Sequence, residues 1–80
     1  MSERLKYMGQ RMELEMKKKS LEIRIKGLVA NLRYALDPLA QIEDLRTSDI
    51  LEWSSELAEA WDRHRDVVSS LNQIKDILGR

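Results

Sequence analysis

Tyr34-Ala35-Leu36-Asp37-Pro38-Leu39-Ala40-Gln41-Ile42-Glu43-Asp44-Leu45-Arg46-Thr47-Ser48-Asp49 is the stretch that decides the fold. Proline has no amide N–H and drives the residue before it out of the helical region. A helix arriving from the N-terminal side is therefore predicted to end at Leu36. Pro38 suits the first turn of a new, short helix running to about Arg46. Thr47-Ser48-Asp49 reads as a second break. Thr47 or Ser48 is the expected N-cap, and Asp49 and Glu52 favour a helix N-terminus. Working outward, the first helix runs from Ser2, a plausible cap, to Leu36. The third runs to about Leu78 and ends at Gly79. Each long helix has roughly 30 residues and a length of about 45–50 Å. Equal lengths joined by a short elbow predict an all-α, long antiparallel helical hairpin: long helix, short elbow helix, long helix.

Composition agrees. The chain has 80 residues, three Gly, one Pro, no Phe and no Cys. That length allows one domain, residues 1–80, with a marginal core of its own. Leu, Glu, Lys, Arg, Met and Ala are the good helix formers that dominate it. The lack of Cys excludes a disulfide framework, a thiolate metal site and a Cys nucleophile. No apolar stretch approaches a spanning helix, and no signal-peptide pattern is present. The expectation is a cytoplasmic protein without a membrane partner. Formal net charge is zero, yet residues 1–36 hold nine Lys/Arg against four Asp/Glu, and residues 37–80 hold five against ten. A basic half and an acidic half of equal size suggest helices that neutralise each other.

Heptad spacing gives the seam. In the third helix Ile50, Leu57, His64, Leu71 and Leu78 recur every seven residues, and Trp53, Ala60, Val67 and Ile74 follow three later. Trp61 and Val68 are expected to widen this coiled-coil stripe. In the first helix Tyr7, Leu14, Leu21, Leu28 and Ala35 recur every seven, joined by Ile25, Val29, Leu32 and Leu36. Arg4, Arg11 and Lys18 flank that seam, so its N-terminal half reads as the poorer core. A second stripe, Met1, Leu5, Met8, Met12, Met16 and Ile23, lies on the nearly opposite side at about 100° per residue. One facing helix cannot cover both. The stripe formed by Leu5, Met8, Met12, Met16 and Ile23 is therefore the predicted oligomer interface. It would assemble hairpins into a dimer or larger bundle, or dock an unknown protein partner.

No residue group reads as catalytic, cofactor-binding or metal-ligating, and no cofactor is expected. His64 lacks an Asp or Glu three or four positions away, the spacing that helical metal chelation needs. It reads as a seam residue that sets register through a hydrogen bond. Trp53 and Trp61 read as inward packing residues. Lys17, Lys18, Lys19 and Lys26 form a basic cluster that suits phosphate contact. The acids of the third helix lie level with it and would screen it. An accessory protein that binds nucleic acid is the alternative to an interaction module.

Two resemblances complete the reading. The long–short–long layout is similar to that of the all-helical chorismate mutases, which are dimers, but the second helix is too short here. Their active-site Arg and Lys pattern has no match in this chain, so the reading stays non-enzymatic. Arg24-Ile25-Lys26-Gly27-Leu28, Asn31 to Ala40 with Leu36-Asp37-Pro38 at its centre, and Ile42-Glu43-Asp44-Leu45 resemble small uncharacterised proteins from the early region of Mu-like transposable prophages. The family often has Phe after the Pro, where Leu39 stands here. The resemblance implies a bacterial cytoplasmic setting and a prophage accessory factor, and carries no residue role with it.

Overall fold

The computed structural model describes residues 2–79 and is an antiparallel hairpin. Helix α1 spans Glu3–Ala35 and helix α2 spans Thr47–Leu78, with a short 3-10 turn at Ile42–Asp44 between them. The rod measures 62 × 17 × 14 Å, and there is no strand among the described residues. Met1, placed in the methionine stripe above, lies outside the described residues.

The N-terminal cap is the predicted one: the Ser2 side chain accepts a hydrogen bond from the Leu5 amide at 3.3 Å. This satisfies one of the donors that the first helical turn leaves without a partner. At the other end of the hairpin α2 stops at Gly79, whose amide donates to the Lys75 carbonyl at 2.9 Å.

The elbow differs from the expected short helix over Pro38 to Arg46. Asp37 Oδ1 accepts the Leu39 amide at 3.0 Å, and the Asp37 carbonyl accepts the Ala40 amide at 3.1 Å. An aspartate that bonds the backbone two residues on closes a turn, with Pro38 presetting its second position. That local bond competes with helix and wins. Only Ile42–Asp44 then coils, as a single 3-10 turn. The predicted cap of α2 also moves. Arg46, not Thr47 or Ser48, is the N-cap, and no side chain caps the helix there. Arg46 instead reaches forward to Asp49, with Nη2 to Oδ2 at 2.7 Å, and places its guanidinium 5.3 Å from the Trp53 ring centre.

The seam of α2 faces inward as the heptads require. Ala60, Leu71 and Ile74 are buried, and Ile50, Trp53, Leu57, His64, Val67 and Leu78 are half-buried. In α1 Leu28 and Ala35 are buried, and Tyr7, Leu14, Leu21, Ile25, Val29 and Leu32 are half-buried. Two expectations fail. Trp61 is 54% exposed and Leu36 is 55% exposed, because each sits at the edge of its stripe and only one helix is present to cover it. Both buried residues of α1, Leu28 and Ala35, lie in its C-terminal half, so its N-terminal half is the poorer side of the core. The stems of Arg11 and Lys18, half-buried there, lie along the seam and keep their charges toward water.

Candidate association surface

The five residues assigned to the second stripe, Leu5, Met8, Met12, Met16 and Ile23, are all exposed, with Met16 the most open of them at 72%. They occupy the side of α1 turned away from α2. This follows from helix geometry: Leu14, Leu21 and Leu28 already hold the α2 side, and the methionines lie roughly half a turn away. Lys19 falls between Met16 and Ile23 on the same side and interrupts the stripe.

A second apolar region was not legible as such in the sequence. It lies at the elbow, where Leu39 is 88% exposed and Ile42, Leu45, Leu36 and Tyr34 are also open to solvent. Leu51, near the start of α2, is exposed as well. On the flank of the hairpin, Ile25, Val29, Leu57, Ala58 and Trp61 line a shallow apolar groove. Arg65 stacks over Trp61 with its guanidinium carbon 5.4 Å from the ring centre.

Lys17, Lys18, Lys19 and Lys26 do not converge. Successive helix positions turn by about 100°, so the first three point in different directions. Lys17, Lys19 and Lys26 are exposed and Lys18 is half-buried. Lys17 shares a groove with Arg63 and Asp66 of α2, and Arg24 shares one with Glu56 and Glu59. The two helices are thus level as expected. Among the described residues, however, none of these lysines makes an ion pair with α2.

One polar link does cross the hairpin. His64 Nε2 donates to Glu22 Oε2 at 2.9 Å, with both side chains partly open to solvent. Glu22 was not singled out from the sequence as the partner of His64. Its signal was present in the register: an elbow centred near residue 43 sets residue 22 level with residue 64. The hydrogen bond from His64 holds the Glu22 carboxyl below its ordinary value, aided by the charges of Lys18, His64 and Lys26 and opposed by desolvation. A lowered folded value means that the link stabilises the fold above the ordinary carboxylate range and that its contribution is lost as pH falls through the lower value. The melting-temperature difference between the wild type and Glu22→Gln is expected to shrink as pH drops below about 4. A difference that grows as pH falls from about 4 to about 2 would show the sign to be wrong.

Among the described residues no group of three or more His, Asp or Glu is placed to hold a metal ion, and no helix is long and apolar enough to cross a membrane. No family model matches the chain, and neither a curated protein nor a solved structure matches it.

Proposed function

We propose that this chain is a non-enzymatic helical interaction module that works by self-association through the outer side of α1. The observation that carries the reading is the exposure of Leu5, Met8, Met12, Met16 and Ile23 together along one side of one helix. Large apolar residues scattered singly on a surface are ordinary, whereas a run such as Leu5, Met8, Met12 and Met16 points to a covered face. The thinness of the hairpin core supports it. Among the described residues the buried apolar ones are Leu28, Ala35, Ala60, Leu71 and Ile74, and two of these are alanines. Two helices that bury so little gain stability from a further partner. The resemblance of the central stretch to Mu-like prophage early-region proteins supports an accessory role in a bacterial cytoplasm.

Association that adds to folding stability makes the melting temperature rise with protein concentration. Thermal unfolding of the wild type at increasing concentration is expected to show that rise. A melting temperature constant over a hundredfold dilution would count against the reading.

A further inference from the structure

We propose that the surface covering the α1 stripe is the same side of α1 in a second copy of this chain, packed antiparallel about a two-fold axis level with the Ser20–Leu21 peptide. This rests on the self-association reading above and adds its register. The stripe does not stop at Ile23. Its spacing repeats every eleven residues, as Met12, Ile23 and Tyr34, as Leu5, Met16 and Gly27, and as Met8, Lys19 and Ala30. All of these positions are exposed. Eleven residues make close to three full turns, so the face runs nearly straight along the helix. From Leu5 to Tyr34 it covers about 44 Å.

Charge sets the register. Glu15, Lys19, Glu22 and Lys26 alternate in sign along one edge of this face. A two-fold axis across antiparallel helices sets each edge beside the same edge of the other copy. At the proposed level Glu15 stands beside Lys26 of the second copy and Lys19 beside its Glu22. Symmetry makes each pair twice, and opposite signs meet throughout, which fixes the register. Lys19, which interrupts the apolar stripe of one chain, thereby gains a partner across the axis.

Size gives the same register independently. The level that pairs the charges sets Met12 between Gly27 and Ala30 of the second copy, Met16 between its Ile23 and Gly27, and Met8 between its Ala30 and Tyr34. Long, adaptable side chains of one half of the face thus enter the spaces left by small residues of the other. Gly27 has no other evident use. It lies inside α1, where glycine weakens a helix relative to alanine. Its φ is not positive, and a Cβ added there meets nothing within 4 Å in the single hairpin. Close approach of a second backbone is the remaining physical reason for glycine at such a place. A parallel pair would set each residue of the face beside itself, Lys19 against Lys19 and Gly27 against Gly27, and lose both matches.

The absence of Cys makes the arrangement testable by cross-linking. Met12→Cys and Ala30→Cys chains are mixed and treated with a short bismaleimide, and the mass of the unmodified wild type is measured by sedimentation alongside. The expected result is a wild-type dimer and a cross-linked product several-fold more abundant in the mixture than in either variant alone. In this register two Met12 positions stand about 25 Å apart along the helices and two Ala30 positions about 28 Å, beyond the reach of the reagent. A wild-type dimer in which Met12→Cys links to itself as readily as to Ala30→Cys overturns the register and leaves self-association standing, as does a dimer that gives no cross-link. A wild-type monomer overturns both.

Discussion

Leu28→Ala is expected to lower the unfolding free energy by about 2–5 kcal/mol, the range for removing a buried leucine side chain and leaving a space behind. Leu28 is the one large buried residue of α1, and it lies in the elbow half of the rod. The core around it is narrow, because Ala35 and Ala60 contribute little area. Two helices also offer few neighbours that can move in to fill a hole, so the loss belongs toward the upper part of that range. Urea unfolding followed by the helical circular-dichroism signal measures it. A loss under about half a kilocalorie, typical of a surface position, would place the α1 seam on another side.

The second large effect is on assembly. Met8→Glu combined with Met12→Glu is expected to convert the protein to a monomer at micromolar concentration and to lower its melting temperature. Covering a methionine side chain contributes roughly 1.5–3 kcal/mol, and a symmetric pair uses each position twice. Two introduced carboxylates on a covered apolar face also have to be desolvated, which adds to the lost burial. Both positions are exposed in the single hairpin. The hairpin itself is therefore expected to keep its helical content at low temperature, which separates loss of association from loss of fold.

The hairpin was legible in the sequence because its signals are local and repeat. Seven-residue spacing from Ile50 to Leu78 and from Tyr7 to Ala35 fixes both inner faces, and Asp37-Pro38 ends α1 within a residue of Leu36. Composition alone removes sheet and disulfide alternatives. What was misread lies where a local choice has two near-equal answers. Pro38 permits a helix start and a turn equally well, and the bond from Asp37 to the Leu39 amide decides for the turn. Thr47 has the chemistry of a cap, yet Arg46 takes the position and pairs with Asp49. Trp61 belongs to the stripe by angle, but the angle does not say whether a second helix is wide enough to cover an edge position. A third or fourth helix would do so.

The proposed association surface was half legible. Leu5, Met8, Met12, Met16 and Ile23 could be identified because helical periodicity puts them opposite an already complete seam. The elbow's exposed Leu39 and Ile42 could not, since the sequence reads there as one short helix and the chain forms a turn and a single 3-10 turn. The tie between Glu22 and His64 is long-range, and it becomes visible only once the elbow fixes which residues lie level. The charge asymmetry between the two halves was read as neutralisation within one hairpin. Among the described residues Lys17, Lys18, Lys19 and Lys26 make no ion pair with α2; Lys17 and Arg24 share grooves with its acids at longer range.

Sedimentation equilibrium of the unmodified wild type at micromolar concentration tests the central claim most directly. The account predicts a mass of at least twice the chain's 9.4 kDa, with dissociation on dilution. A mass of one chain across the whole concentration range would contradict it.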